Sequence, residues 1–232
     1  MTDLDTLRAG QVILIDKPLH WTSFDVVNKL RYAILKKYRL KKFKVGHAGT
    51  LDPLASGLLL VCVGKATKTI QQYQGLDKEY TGSFYIGATT PSYDMETAVN
   101  ERFETKHITP ALILETAKSF IGTQQQLPPV FSAIKKNGKK LYEHARKGEN
   151  VEIQPREITI KAFEILSINF PEVKFRVKVS KGTYIRSLAY DFGQALHSGA
   201  YLSALRRTKI GDFDVENAVS IDDWVKNLIH ES

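Results

Sequence analysis

The sequence predicts an α+β fold in which a mixed, largely antiparallel sheet is flanked by helices and loops. Two long segments, Ile158 to Ile168 and Val173 to Val179, alternate between apolar and polar residues across a short loop, which is typical of paired antiparallel strands. Strands and helices do not alternate regularly along the 232 residues, which argues against a doubly wound parallel sheet. The apolar fraction of 43% and charged fraction of 25% are ordinary for a globular protein with a sizeable core.

The other elements follow from local patterns. Val12 to Ile15 predicts a short buried strand, and Ser23 predicts the N-cap of a helix that runs to Leu35. Apolar periodicity predicts further strands at 58–63, 80–86 and 205–210, and helices at 67–73, 110–120, 139–147, 183–196 and 221–229.

Caps and breakers set several boundaries. Pro110 at a first helical position, Thr183 as a cap and Ser220 as a cap mark three of the helix starts. The polar residues 91–105 predict a surface excursion. Residues 124–132 include two prolines and show no hydrophobic periodicity, so they predict an extended loop.

Positive charge is concentrated in two segments of this basic chain, whose net charge is +8 and whose pI is about 9.4. That balance favours a polyanionic partner without proving one. Aromatic residues accompany both segments, which suits contact with phosphates and bases; two solvated helix faces are an equally compatible alternative on composition. The first basic cluster comprises Lys36, Lys37, Arg39, Lys41, Lys42 and Lys44, and the second comprises Lys135, Lys136, Lys139, Lys140, Arg146 and Lys147.

The chain carries the features of a cytoplasmic protein. Its longest apolar run, 58–63, is far too short to cross a bilayer, and its acidic N-terminus lacks the layout of a signal peptide. Its single cysteine, Cys62, cannot form an internal disulfide, which favours a reducing compartment.

One carboxylate stands out in the segment 45–57, where small and turn-forming residues surround Asp52. Glycines permit close backbone approach there, and Pro53 biases Asp52 away from helical geometry. The segment therefore predicts a stiff loop that presents one acid at the edge of the buried strand 58–63. The plainer alternative is that an aspartate before a proline is only a turn residue.

Three further segments carry chemistry: Asp16-Lys17-Pro18, Lys78-Glu79-Tyr80 and the run 181–186, Lys-Gly-Thr-Tyr-Ile-Arg. Arg186 offers a fixed cation that could keep a carboxylate ionised in a closed pocket. Tyr80 and Tyr184 could each stack on a planar base. Taken singly, each residue has an ordinary structural explanation.

Together with Leu205-Arg206-Arg207 and the Asp52 loop, these segments resemble the TruB family, the bacterial tRNA pseudouridine-55 synthases, over nearly the whole chain. The resemblance implies the pseudouridine synthase fold and one catalytic domain over residues 1–232. It further implies an RNA-gripping insertion at about 124–150, no C-terminal RNA-binding module of the PUA type, and the T-loop of tRNA as substrate. A monomer that needs no cofactor and no metal is expected.

The resemblance also assigns roles. Asp52 would attack the target uridine on a flipped-out base, detaching uracil from its sugar for reattachment through carbon; attack on the base and attack on the sugar both remain open. Arg186 would pair with Asp52 and keep it charged. The remaining implied contacts are His47, Tyr80, Tyr184, Leu205 and Lys17 with the substrate nucleotide, and Lys135, Lys136, Lys139, Lys140 and Arg146 with the RNA backbone.

A few positions depart from the usual TruB family pattern, and other functions remain to be compared with it. His20-Trp21 stands where the family usually has a small glycine, and Ala48 and Ser56 replace its commoner threonines. The alternative from another class is a non-catalytic RNA-binding or tRNA-folding chaperone, against which the joint presence of Asp52, Arg186 and both tyrosines favours an enzyme. A uridine methyltransferase would need a cofactor-binding glycine loop and a cysteine nucleophile outside a core strand, and a glycosidase would need two flanking acids.

Overall fold

The computed structural model describes residues 3–131, 135–136, 139–140 and 153–230. The chain forms two compact units: the first runs up to Tyr80 and resumes at Leu205, and the second comprises Thr81–Ala204. The second unit is thus inserted into the first. The chain leaves the first unit within the strand Lys78–Ile86 and re-enters it within the strand Ala200–Ile210.

The first unit is built around one buried strand. Its elements are α1 (Leu4–Ala9), β1 (Gln11–Lys17), α2 (Ser23–Lys37), β2 (Val45–His47), β3 (Ala55–Val63), α3 (Ile70–Gly75), the start of β4 (Lys78–Ile86), the end of β12 (Ala200–Ile210), β13 (Phe213–Asp214) and α6 (Ile221–His230), with 3₁₀ turns at Gly64–Thr69 and Val215–Asn217. β1 pairs antiparallel with one edge of β3. On the other edge, β2 pairs antiparallel with the end of β3 and β12 pairs parallel with its beginning.

Both faces of β3 are covered, which explains its continuous apolar run. Successive side chains of a strand point to opposite faces. Leu59, Val61 and Val63 pack in one cluster with α2 and α6, whereas Leu58 and Leu60 pack in a second cluster with Ile210 and Val215. The predicted strand at 58–63 is therefore confirmed, and it begins three residues earlier than predicted.

The second unit carries a sheet in the order β12–β4–β11–β10–β7, in which β7 is Gly122–Gln126, β10 is Arg156–Asn169 and β11 is Glu172–Val179. β10 and β11 are the predicted antiparallel pair, with Ile160 opposite Val179 and Asn169 opposite Glu172. A cluster of phenylalanines that includes Phe84, Phe175 and Phe192 packs on this sheet. The remaining elements are β5 (Ala88–Thr89), β6 (Glu101–Arg102), α4 (Pro110–Ser119), β8 (Lys135–Lys136), β9 (Lys139–Lys140) and α5 (Ile185–Ala195).

Three predictions in the second unit are wrong. Gln124 to Gln126 belong to β7 rather than to an extended loop, because β7 pairs with β10 although its sequence has no apolar period. Lys139 and Lys140 form a strand instead of starting a helix, and the rest of that predicted helix, 141–147, lies outside the described residues. The polar segment 91–105 is not wholly a surface excursion, since Ser92 and Asp94 are buried.

Helix caps show where local signals succeed and fail. Ser220 caps as predicted, and Thr109 caps the helix whose first position is Pro110; each hydroxyl accepts a hydrogen bond from the backbone amide three residues on. α2 is capped by Thr22 rather than by Ser23, whose hydroxyl binds the backbone of Leu51 instead. Thr183 does not cap α5; its hydroxyl donates to the carbonyl of Ser180.

No helix in the described parts of the chain is both long and apolar enough to span a membrane.

Candidate active site

The Asp52 loop is fixed to the first unit at several points. The amide of Ala55 donates to the carbonyl of Asp52 at 3.0 Å, which closes a turn around Pro53. The carbonyl of Pro53 in turn accepts from the amide of His20 at 2.7 Å. The amide of Leu51, whose side chain is buried, donates to the hydroxyl of Ser23 at 2.8 Å. Asp52 itself is partly exposed, so the loop presents its carboxylate from a rigid base.

A buried guanidinium, that of Arg207, holds this loop against β3. Its side chain donates from Nε to the carbonyl of Leu58 at 2.7 Å and from Nη2 to the carbonyl of Gly49 at 3.1 Å. The backbones of β12 and β3 touch here: Gly57 has φ +101°, and a Cβ on it would lie 2.3 Å from the carbonyl oxygen of Arg207. Sequence reasoning assigned Arg207 no role, although it noted both the Leu-Arg-Arg motif and Gly57.

Lys17 is fully buried behind the loop. Its ammonium donates to the carbonyls of Pro18 at 2.9 Å and Trp21 at 2.6 Å, which fixes the turn after β1. Burial lowers the pKa of Lys17 to about 8, and the negative charge of Asp52 partly opposes that shift. The predicted contact of Lys17 with substrate stays a prediction, and its geometry suits a residue that positions the turn.

The neighbouring Asp16 is also occupied. Arg206 binds both carboxylate oxygens of Asp16, at 3.0 and 2.7 Å, in the bidentate geometry that suits a guanidinium. This pair ties β12 to β1, the two strands that flank β3.

His47 and Leu205 lie in elements that pair with β3. Burial, reinforced by the nearby Arg207 guanidinium, lowers the pKa of His47, so its imidazole is neutral at neutral pH. A neutral ring suits contact with an uncharged base better than an imidazolium does. Leu205 is partly buried and lies opposite Ala55, three residues after Asp52.

Tyr80 also belongs to the first unit, where it is the last residue of β4 before the chain enters the second. Its side chain is largely buried. Five of the predicted site residues are thus brought into the first unit, namely Lys17, His47, Asp52, Tyr80 and Leu205.

Arg186 and Tyr184 belong to the second unit, at the start of α5. Arg186 is buried, and its Nη1 donates to the carbonyls of Phe131 at 2.9 Å and Ser92 at 3.3 Å. Its Nε lies 3.6 Å from the carboxylate of Asp94, which is equally buried. Sequence reasoning missed Asp94, because nothing in a polar segment signals that one of its acids turns inward.

The start of α5 is tied to the first residues of the predicted insertion. Gln126 exchanges two hydrogen bonds with the backbone of Tyr184: it accepts from the amide at 2.8 Å and donates to the carbonyl at 3.1 Å. Ser187 donates to the carbonyl of Leu127 at 2.7 Å. The guanidinium of Arg156 lies 5.2 Å from the ring centre of Tyr184. The backbone of Tyr184 is therefore fixed by Gln126, and its ring lies against Arg156.

The four predicted RNA-backbone lysines lie in two short paired strands. β8 and β9 pair with Lys135 opposite Lys140 and Lys136 opposite Lys139. Arg146 lies outside the described residues.

In the described part of the chain, no three His, Cys, Asp or Glu side chains are grouped so that they could hold a metal ion. Cys62 is buried in β3, and burial raises the pKa of its thiol to about 11, which does not suit a nucleophile.

Two protein-family models match most of the chain. The model of the TruB family pseudouridylate synthase N-terminal domain matches residues 36–185, and the model of the tRNA pseudouridylate synthase B C-terminal domain matches residues 186–231. The chain belongs to the TruB family. The resemblance drawn from the motifs is thereby confirmed. The first match contains the Asp52 loop, and the second begins at Arg186.

Individual members of the TruB family agree. A protein of Flavobacterium johnsoniae named tRNA pseudouridine synthase B is 64% identical over 220 residues, which covers 94% of this chain and 96% of that protein. One of the same name from Phocaeicola vulgatus is 52% identical, covering 94% and 92%. Among solved structures, the crystal structure of a Cbf5-Nop10-Gar1 complex contains a chain that is 33% identical with a TM-score of 0.70; the match covers 95% of this chain but only 54% of that one. The predicted α+β fold is thus confirmed.

Proposed function

We propose that this protein isomerises uridine to pseudouridine in the T-loop of tRNA, at position 55, with Asp52 as the nucleophile. Membership of the TruB family supports the reaction class, and relatives named tRNA pseudouridine synthase B support tRNA as the substrate. The observation that carries the proposal is a single, partly exposed carboxylate on a loop held by a buried guanidinium.

The reaction requires the target nucleotide to leave its stack, because a stacked uridine does not offer its reactive carbons to a loop carboxylate. Asp52 forms a covalent bond to the substrate, and the bond between the sugar and the ring nitrogen breaks. The uracil then turns and rejoins the sugar through carbon, and the bond to Asp52 breaks. That carbon loses its proton, and the ring nitrogen released from the sugar gains one. Substrate and product are isomers, so the proposal needs no redox partner and no group donor.

Arg186 supplies the positive charge that keeps a carboxylate ionised in a water-excluding pocket. In this proposal Arg186 pairs with Asp52, as the motifs shared with the TruB family imply. Asp94 positions Arg186, because their buried ion pair limits where the guanidinium can point.

Four other residues shape the pocket. Tyr80 stacks on the flipped base and assists removal of the proton, while Tyr184 and Leu205 line the walls. His47, neutral because of its lowered pKa, occupies the space that the flipped nucleotide leaves. The β8–β9 lysines bind the RNA backbone, and we further propose a cytoplasmic monomer, consistent with the single buried cysteine.

The deciding experiment replaces Asp52→Asn and measures pseudouridine formation in unmodified tRNA, mapped by position. We expect no product, with tRNA affinity largely retained because the amide keeps the shape of the side chain. Asp222→Asn, which changes an exposed acid of the first unit, is the matched control and should stay active. Turnover by Asp52→Asn would refute the nucleophile. A product outside the T-loop would refute only the position.

A further inference from the structure

A basic cavity of about 500 Å³ lies in the first unit, beside the end of β3 that is remote from the Asp52 loop. Its walls include five cationic side chains and one aromatic ring: Arg8, Lys42, Lys44, Lys65, Lys68 and Phe43. The function proposed above uses none of them. Two of the five, Lys42 and Lys44, come from the first basic cluster of the sequence.

Three distant segments build this cavity. The amide of Gly64 donates to the carbonyl of Lys44 at 3.0 Å, which joins the 3₁₀ turn after β3 to the segment before β2. α1 packs on the same glycine so closely that a Cβ there would lie 2.1 Å from the carbonyl oxygen of Leu7. The hydroxyl of Thr67 donates to the carbonyl of Gly64 at 2.8 Å and shapes the turn that bears Lys65 and Lys68.

The charges of the cavity are left largely unneutralised. The described residues that line it include no Asp or Glu. Arg8 has an acid 3.7 Å away in Asp5, but both side chains are exposed and such a pair is weak. Several cations around one concavity repel one another, and a chain of phosphates would offset that repulsion. The half-buried Phe43 adds an apolar surface that a sugar or base can contact.

The distance between the basic cavity and Asp52 indicates which part of a bound RNA the cavity contacts. β3 runs from Ala55, beside the Asp52 loop, to Val63, beside the cavity. Eight steps of about 3.3 Å make roughly 26 Å. A strand of a nucleic-acid duplex carries one phosphate per roughly 3.4 Å of helix axis, so this span corresponds to about eight base pairs.

We propose that the basic cavity binds the phosphate backbone of the RNA helix that continues beyond the T-loop hairpin. The inference rests on the proposed function, because it takes the target base to be held at Asp52. It assigns the cavity to general backbone contact, which stabilises the complex without reading sequence.

The test compares two hairpins with the same T-loop, one with a stem of four base pairs and one with a stem of twelve, a length that exceeds the span estimated above. The variant is Lys65→Ala with Lys68→Ala, both exposed positions. The control is Lys106→Ala with Lys226→Ala, which removes equal charge from exposed positions that do not line the cavity. Dissociation constants are measured over a salt series, and pseudouridine formation is measured in both hairpins.

The cavity variant should bind the long hairpin at least about tenfold more weakly near 0.15 M salt, with a salt slope lower by about two units. Its affinity for the short hairpin and its turnover at saturation should match those of the wild type. Lys42→Ala with Lys44→Ala should repeat the effect.

Unchanged affinity and slope on the long hairpin would overturn the inference, as would an equal loss on the short hairpin or in the control. If the wild type forms no pseudouridine in either hairpin, the proposed function fails. The difference in dissociation constant between the long and short hairpins still tests RNA binding by the cavity.

Discussion

Two carboxylates of the second unit, Asp94 and Asp191, have contrasting surroundings. Asp94 is buried against the guanidinium of Arg186 and accepts a hydrogen bond from the amide of Glu96 at 2.9 Å. Asp191 lies on α5, where burial without a compensating charge raises its pKa from 3.8 to about 6. Asp94 thus has a cationic partner, whereas burial disfavours the charged form of Asp191.

For Asp94, the change Asp94→Asn should lower kcat about 100-fold, because a small misplacement of a charged group is costly in a tight site. KM should change little, since the RNA contacts lie elsewhere. Initial rates on unmodified tRNA, measured well below the unfolding temperature of the variant, separate the two constants. The exposed Glu101→Gln is the control. An unchanged kcat would show that Asp94 does not position Arg186.

For Asp191, the change Asp191→Asn should raise the free energy of unfolding at pH 7 by up to about 3 kcal/mol, since one pKa unit corresponds to about 1.4 kcal/mol. The folded-state pKa is raised, so the wild type loses stability as pH rises from about 4 through about 6. The Asp191→Asn variant carries a neutral side chain at every pH, so its stability should not fall over that range.

Urea denaturation at several pH values measures the difference between Asp191→Asn and the wild type. The difference in the free energy of unfolding should vanish below pH 4 and reach its full size above pH 6. Asp212→Asn, which changes an exposed acid, controls for nonspecific charge effects. Equal stabilities at pH 7 would contradict the prediction.

At the level of elements, the contact between β3 and β12 positions the Asp52 loop. Gly57 is the point of closest approach, with a left-handed φ of +101° and the backbone of Arg207 within 2.3 Å of a would-be Cβ. Gly57→Ala should therefore cost about 3 kcal/mol or more, from backbone strain and overpacking together. Gly75→Ala, at the end of α3 where nothing lies within 4 Å, should be neutral or stabilising by up to about 1 kcal/mol. Thermal unfolding compares the two variants, and equal effects would refute the close-contact argument.

Elements with strong local periodicity were predictable, whereas those that depend on a distant partner were not. β10 and β11 alternate along their length, and the sequence located both. β7 is an edge strand made largely of glutamines, whose only structural signal is its pairing with β10. Ser23 resembles a helix cap in the sequence, but its hydroxyl accepts a hydrogen bond from the amide of Leu51 instead.

At the level of the whole molecule, the same distinction holds for the candidate site. Asp52 and Arg186 could be named from the sequence because motifs surround them. Arg207 and Asp94 could not, because their contacts join residues that are more than ninety positions apart, as in the bonds of Arg207 to Gly49 and of Arg186 to Ser92. Gln126 escaped notice for the same reason, since it bonds Tyr184 across 58 positions.

The nesting of the second unit inside the first has a consequence for biosynthesis. Leu205 to Arg207 lie parallel to Ala55 to Gly57, yet the entire second unit is translated between them. At about 5–20 residues per second, β3 waits on the order of ten seconds on the ribosome for that neighbour. The loop that bears Asp52 is therefore among the last features to be fixed in place. An incompletely translated chain would contain the proposed nucleophile but not the Arg207 contacts that hold its loop.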